Sequence, residues 1–164
     1  MAQKMIYEKY APKMLSVCRM YIKDIQFAED VMMRGFLKLF EKIKQFEQKG
    51  SFEGWIRKIM IREAIDFHRR NKKFEFTDQF EEGLQAEDLQ IYKSDYTTYI
   101  QRLIDELPEG YRTVFVMYVI EEYKHKEIAE MLDISESTSR SQLTKARKIL
   151  QEGAKILEND GIKR

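Results

Sequence analysis

The sequence predicts an all-α chain of two small helical domains, the C-terminal one a helix-turn-helix, joined by an acidic linker. Three observations lead there. Hydrophobic residues fill 43% of the 164 positions, while Gly and Pro number only seven and two, so cores can be buried and helix breakers are scarce. Apolar residues recur at steps of three and four, and strand alternation is missing from residues 1–73. Charge is segregated beneath a net of +1: residues 1–73 carry 17 basic and 9 acidic side chains, whereas residues 74–95 carry Lys93 against seven acids, a net of −6. Residues 96–164 are near neutral at −1. The basic block points to an anionic partner, although ordinary solvated faces fit the same pattern. The expected organisation is therefore a domain at 1–73, a linker at 74–95 and a domain at 96–164.

In the first domain, Ile6, Tyr10, Met14, Val17, Cys18 and Tyr21 place an apolar stripe on a helix over about residues 3–22. Pro12 lacks an N–H and crowds the preceding turn, so a kink or break is expected near Ala11. A second helix, capped by Asp24, runs from about Gln26 to Phe46 on Ala28, Val31, Met32, Gly35, Phe36, Leu39, Phe40 and Ile43. After a short loop, Ser51 caps a third helix reaching about Asn71, with Phe52, Ile56, Ile59, Met60 and Phe67 inward. Residues 74–95 read as a linker with at most a marginal helix, more aromatic than a flexible tether.

In the second domain, Tyr99, Ile100, Leu103, Ile104 and Leu107 form a helix that stops before Pro108, which starts the next one carrying Val114, Phe115, Tyr118 and Val119. A third helix spans about Lys124–Leu132. Asp133 and Ile134 make a tight turn, and Ser135 caps a fourth helix to about Glu152.

Function concentrates in two places. The segment from Lys126 to Lys148 has the plan of a helix-turn-helix. Ala129 is small enough for two helices to cross closely, and Ile128, Leu132, Ile134 and Leu143 supply a shared core. Ser135 leaves the last helix's N–H groups directed outward, where a phosphate can meet them. Arg140, Ser141, Thr144, Lys145, Arg147 and Lys148 make that helix polar and basic, with Arg140, Thr144 and Arg147 on one face. An Arg in the major groove can hold guanine through two hydrogen bonds; a helical hairpin with a solvated basic face is the plainer alternative. On the third helix, Trp55, Lys58, Arg62 and Arg69 fall within about 60° of one another at 100° per residue. An indole can stack on an unpaired base while cations follow the phosphates. A half-buried core Trp among surface charges fits the same residues.

Catalysis finds no support. His68 and His125 are the two histidines, and neither has Cys or carboxylates at ligand spacing. No phosphate loop or nucleophile motif is present, so no cofactor, metal or small-molecule substrate is expected. His125 lies near a helix start and is expected at the surface. Cys18, the one cysteine, sits among apolar residues as a small core residue rather than a redox switch. The sequence offers no signal segment and no run of about 18 apolar residues, so a cytoplasmic location is expected.

The short motifs, taken in order, are specific. Ala28-Glu29-Asp30-Val31, Phe36-Leu37-Lys38-Leu39-Phe40, Gly50-Ser51-Phe52-Glu53-Gly54-Trp55-Ile56-Arg57-Lys58-Ile59 and Leu107-Pro108-Glu109-Gly110-Tyr111-Arg112, followed by the helix-turn-helix, resemble an extracytoplasmic-function (ECF) sigma factor of bacterial RNA polymerase over nearly the whole chain. The resemblance implies a first domain that docks on core polymerase through Asp30, Arg34 and Leu37. It implies that this domain melts the minus-10 promoter element, with Gln48 and Lys49 in a base-holding loop beside Trp55, Lys58, Arg62 and Arg69. The second domain would read minus-35 DNA through Ser135, Arg140, Ser141, Thr144, Lys145, Arg147 and Lys148. The linker would thread the polymerase toward the RNA exit path, and an anti-sigma factor would be a further partner. Five departures stand out. Met33-Arg34 replaces the usual Gln-Glu, Arg62 an Asn, Asp133 and Ser137 glycines, and Ser139 a Val. A duplex-binding regulator without polymerase, or a helical adaptor, is the alternative function.

Overall fold

The computed structural model describes residues 2–47, 49–71 and 96–159. Two compact units result, Met1–Lys73 and Phe74–Arg164. The linker reading, and Gln48, lie outside the described residues.

The first unit is a three-helix bundle of α1 (Ala2–Tyr21), α2 (Ile25–Lys42) and α3 (Phe52–Arg70), each packed on the other two. Asp24 caps α2 by accepting from Gln26 N and Phe27 N, and Ser51 caps α3 by accepting from Gly54 N. Met14, Val17, Cys18, Tyr21, Val31, Phe36, Leu39, Ile56 and Met60 fill the core. Of the kink or break expected near Ala11, the break does not occur: α1 is one helix that runs through Pro12. The ring faces solvent and removes one helical hydrogen bond. Residues on both sides anchor the helix to the same core: Tyr7 packs edge-on against Phe36 at 4.9 Å, Tyr10 against Phe52 at 5.8 Å, and Met14 and Val17 are buried. Tertiary packing outweighs the lost bond. The second helix ends earlier than the periodicity indicates, tightening into a 3-10 turn over Ile43–Gln45.

Two buried polar groups join the bundle. Glu63, 3% exposed, is paired by Lys38 across the α2–α3 interface. The imidazole Nε2–H of His68 donates to the carbonyl of Tyr21 at 2.7 Å, tying α3 to the end of α1. Cys18 is a buried core residue; burial first, and Glu63 second, push its thiol up to about 12, leaving it protonated and inert.

Gly35 lets α2 and α3 approach. A Cβ there would lie 2.3 Å from Met60 Sδ. Gly35→Ala should therefore cost about 1 kcal/mol net, the displacement of the Met60 tip outweighing the roughly 1 kcal/mol that Ala gains over Gly inside a helix. A denaturation midpoint equal to or above wild type would contradict this.

The second unit contains α4 (Tyr96–Glu106), α5 (Glu109–Phe115), α6 (His125–Leu132) and α7 (Glu136–Asn159). α4 stops ahead of Pro108, which occupies the N-cap of α5. The helix after Pro108 does not stay regular. It widens into a π turn over Val116–Ile120, closed by Glu121 N–H donating to Val116 O and Tyr123 N–H to Met117 O. Leu107, Tyr111, Ala146 and Ile149 form a core between α5 and α7, and α7 runs to Asn159, past the expected end near Glu152. The guanidinium of Arg112, 2% exposed, donates to the carbonyl of Asp105 at 2.9 Å and so braces the α4–α5 corner.

Candidate nucleic-acid interface

The turn between α6 and α7 is built by local chemistry. Lys124 N–H donates to Glu127 Oε2 at 2.8 Å at the start of α6. Asp133 ends that helix in the left-handed region, φ 56°, with Ile134 N–H donating to Ala129 O. Asp reaches this conformation more easily than most side chains, which is how the chain manages without a glycine there. Ser135 Oγ then accepts from Thr138 N at 3.0 Å and caps α7. Ile128, Ala129, Leu132 and Leu143 are buried as expected, and Ile134 is half-buried.

Packing against α5 and α6 buries the arc of α7 carrying Ser139, Gln142, Leu143, Ala146 and Ile149. The opposite arc, Ser137, Arg140, Thr144, Arg147 and Lys148, is exposed and spans about 100° at ideal helical geometry. Arg140 is held by Glu136 at 3.1 Å, four residues earlier. The hydroxyls of Ser141 and Thr144 donate to the carbonyls of Thr138 and Arg140, both at 3.0 Å. Lys145 departs from this arc: it is half-buried, with its ammonium 5.9 Å from the Tyr111 ring centroid. Of the cations singled out on this helix, Arg140, Arg147 and Lys148 therefore share an exposed face and Lys145 leans toward α5.

His125 is not the surface residue expected from its place at a helix start. It is half-buried, stacked on Tyr118 with centroids 4.5 Å apart, and its Nδ1 lies 2.9 Å from Ser139 Oγ. Ser139 is fully buried. Burial, then the charges of Arg140 and Arg147 against the opposing charge of Glu136, holds the imidazole below the ordinary histidine range. The sequence signal for this pair was the serine standing at position 139 on the buried arc of an amphipathic helix. Gln142 was missed as well: it is fully buried, and neither amide atom has a hydrogen-bond partner. Its signal was weaker, a polar residue one turn from Ser139.

On α3, Lys58, Arg62 and Arg69 are exposed along one stripe. Trp55 is half-buried, its ring 5.2 Å from Phe46 and 5.8 Å from Phe52, with Phe46 and Phe52 themselves 5.2 Å apart. The indole is thus part of an aromatic corner under the loop, and only part of it meets solvent. Sequence reasoning assigned Phe52 to the core and set Phe46 at the start of the loop 46–51 that the resemblance matches to a base-holding loop, but not its packing on Trp55, because its place after the 3-10 turn breaks helical periodicity. In the loop, Lys49 is exposed and paired with Glu47 at 2.7 Å, and Gly50 adopts φ 101°, a backbone that side chains resist.

On α2, Asp30 and Arg34 are exposed and Leu37 is 61% exposed, beside Phe27 and Met33. Phe27, Asp30, Arg34, Phe67, Arg70 and Asn71 line an open pocket of about 390 Å³. Among the described residues, no group of His, Cys, Asp or Glu is arranged to hold a metal ion. No described helix is long and apolar enough to cross a membrane.

Comparison with known families assigns both units. The family model for Sigma-70 region 2 matches residues 6–74, and that for Sigma-70 region 4 matches residues 97–150. The chain belongs to the sigma-70 family, as an ECF-type sigma factor. Among relatives, the ECF RNA polymerase sigma factor SigM of Bacillus subtilis is 27% identical over 96% of this chain and 95% of its own. SigW of the same organism is 26% identical over 89% and 85%. SigE of Mycolicibacterium smegmatis is 30% identical over 76% of this chain and 51% of its own. The fold is like that of the sigma factor RpoE in its complex with the anti-sigma factor NepR from Bartonella quintana, with a TM-score of 0.56 at 19% identity over 93% of this chain and 96% of that one. The three-helix bundle is region 2 and the helix-turn-helix unit is region 4. As a sigma factor, the chain initiates transcription with RNA polymerase and performs no catalysis of its own.

Proposed function

We propose that this sigma factor divides promoter recognition between its two units, with α7 reading the minus-35 element and α3 engaging the opened minus-10 strand. The observation that carries the reading is the exposed arc of α7, where Arg140, Thr144, Arg147 and Lys148 project from a helix whose opposite arc is buried. Arg140 suits bidentate contact with a base edge, and Arg147 and Lys148 suit phosphates. Ser135 places the start of α7 where its N–H groups can meet phosphate, and Ser141 and Lys145 border the arc. On α3, Lys58, Arg62 and Arg69 would track the strand, with Lys49 and Gln48 in the adjoining loop and Trp55 offering its exposed part to a base.

The α2 face carrying Asp30, Arg34 and Leu37 would dock on core polymerase. Exposed apolar side chains between charges make a surface of the kind that binds protein. An anti-sigma factor, such as accompanies the RpoE relative, would compete for the same chain in the cytoplasm. Residues 74–95, six charges negative, would pass over a cationic channel of the polymerase rather than along DNA. All of this works through binding energy alone.

Purified protein should co-elute with core polymerase and direct transcription from a subset of genomic fragments. Replacing Asp30 and Leu37 with Ala should weaken that association without lowering thermal stability. A chain that yields no promoter-directed transcript with core polymerase on any genomic fragment would rule out this division of labour.

A further inference from the structure

We propose that His125 is a proton-linked positioning residue for the recognition helix, so that binding of promoter duplex takes up a proton at this imidazole. The inference rests on the reading of α7 as the DNA-binding helix.

Two contacts meet the ring, and a third reaches the aromatic neighbour it stacks on. Its Nδ1 lies 2.9 Å from Ser139 Oγ on the buried arc of α7, which ties the start of α6 to the recognition helix next to Arg140. Its plane stacks on Tyr118 at 4.5 Å with an interplanar angle of 23°. The same Tyr118 ring has the Arg147 guanidinium 5.7 Å from its centroid. His125 therefore touches, directly or through one ring, the turns of α7 that carry Arg140 and Arg147.

The charges around it set the sign. In the free protein, burial and the two arginines favour the neutral ring, while Glu136 on α7 opposes them. Tyr118, from the π turn, is an uncharged neighbour. DNA arriving on the exposed arc brings phosphates to Arg147 and Lys148 and base-edge acceptors to Arg140, and that negative potential offsets the cations near the ring, so the bound state favours the imidazolium more than the free state does. The imidazolium carries an Nδ1–H that donates to Ser139 Oγ, so protonation keeps the tie whichever tautomer the neutral ring adopts. A group that gains affinity for protons on binding makes binding tighter as pH falls, by reciprocity. Because the free ring is held below the ordinary histidine range, the pH dependence falls around and below that range, from about pH 7.5 down to about pH 5. The other histidine, His68, is buried in region 2 against the Tyr21 carbonyl, in the unit that does not carry α7.

The test uses the full chain in holoenzyme with core polymerase, and as probe a duplex selected by that holoenzyme from a random pool. Affinity should rise about three- to tenfold between about pH 8 and about pH 5.5, within the tenfold-per-unit ceiling of one linked proton. Calorimetry in two buffers of different ionisation enthalpy should record net proton uptake on binding, a readout that needs no variant. His125→Gln retains a donor and acceptor but cannot titrate, so its affinity should lose the pH dependence while sequence preference at about pH 8 persists. Circular dichroism at both pH values checks the fold. Binding that is flat with pH, that tightens as pH rises, or whose pH slope survives in His125→Gln would overturn the proposal and leave α7 as the DNA-reading helix. Loss of sequence-preferring binding on Arg140→Ala sharpens the α7 reading, whereas a holoenzyme whose duplex preference is untouched by every change on α7 would remove that reading and this proposal with it.

Discussion

Arg140→Ala should lower affinity for the preferred promoter duplex by about 1–3 kcal/mol, roughly five- to 150-fold, and relax the preference at one base position. Arg140 is exposed on the free arc of α7, and Glu136 holds it at 3.1 Å. That pair is at the surface and worth little in stability, so the variant should fold normally and the loss should fall on binding. Lys148→Ala is the internal control. Lys148 lies on the same arc, about 80° round the helix, and should weaken all sequences evenly while lowering the slope of log affinity against log salt by about one unit. Equal, sequence-independent losses for both variants would make Arg140 another phosphate contact.

The second large effect is expected on α3, where two roles can be separated. Trp55 packs on Phe46 and Phe52, so Trp55→Ala should remove half-buried aromatic packing worth about 2–3 kcal/mol and lower the melting temperature of the three-helix unit by about 10 °C or more. Lys58 and Arg62 are exposed, and replacing both with Ala should leave the melting temperature within a few degrees. On the proposed reading of α3 the double variant should still reduce strand opening, seen as weaker permanganate reactivity of unpaired thymines on bound promoters, because it removes two cations proposed to follow the phosphates. Full reactivity in the double variant would leave the stripe a solvated surface. Unchanged stability in Trp55→Ala would mean that the aromatic corner contributes nothing to the fold.

Helix positions were legible because their signals are local. Asp24, Ser51 and Ser135 each occupy a cap where the sequence placed it, and the three- and four-residue steps picked out Met14, Val17, Cys18, Phe36, Leu39, Ile56 and Met60 as core. A cap involves a side chain and a backbone group three residues apart, and a stripe needs only the helical repeat. Pro12 does not break α1, because its cost is local while the contacts that hold the helix across it come from Phe36 and Phe52, 24 and 40 positions away. The π turn at Val116–Ile120 escaped for a similar reason, since its apolar run Val-Met-Tyr-Val-Ile suits a regular helix equally well.

For the site, sequence alone singled out the residues proposed to meet nucleic acid: cations and hydroxyls at helical spacing on α7, and a Trp with three cations on α3. Tertiary structure decided which of them are free to do so. Whether a long cation reaches solvent or lies along a neighbouring ring depends on what packs beside it, so Lys145 drawn to Tyr111, Trp55 tucked against Phe46 and Phe52, and His125 stacked on Tyr118 follow from contacts between segments distant in the chain. Helical periodicity sorts residues by direction around an axis, but it carries no information about the neighbour that occupies that direction.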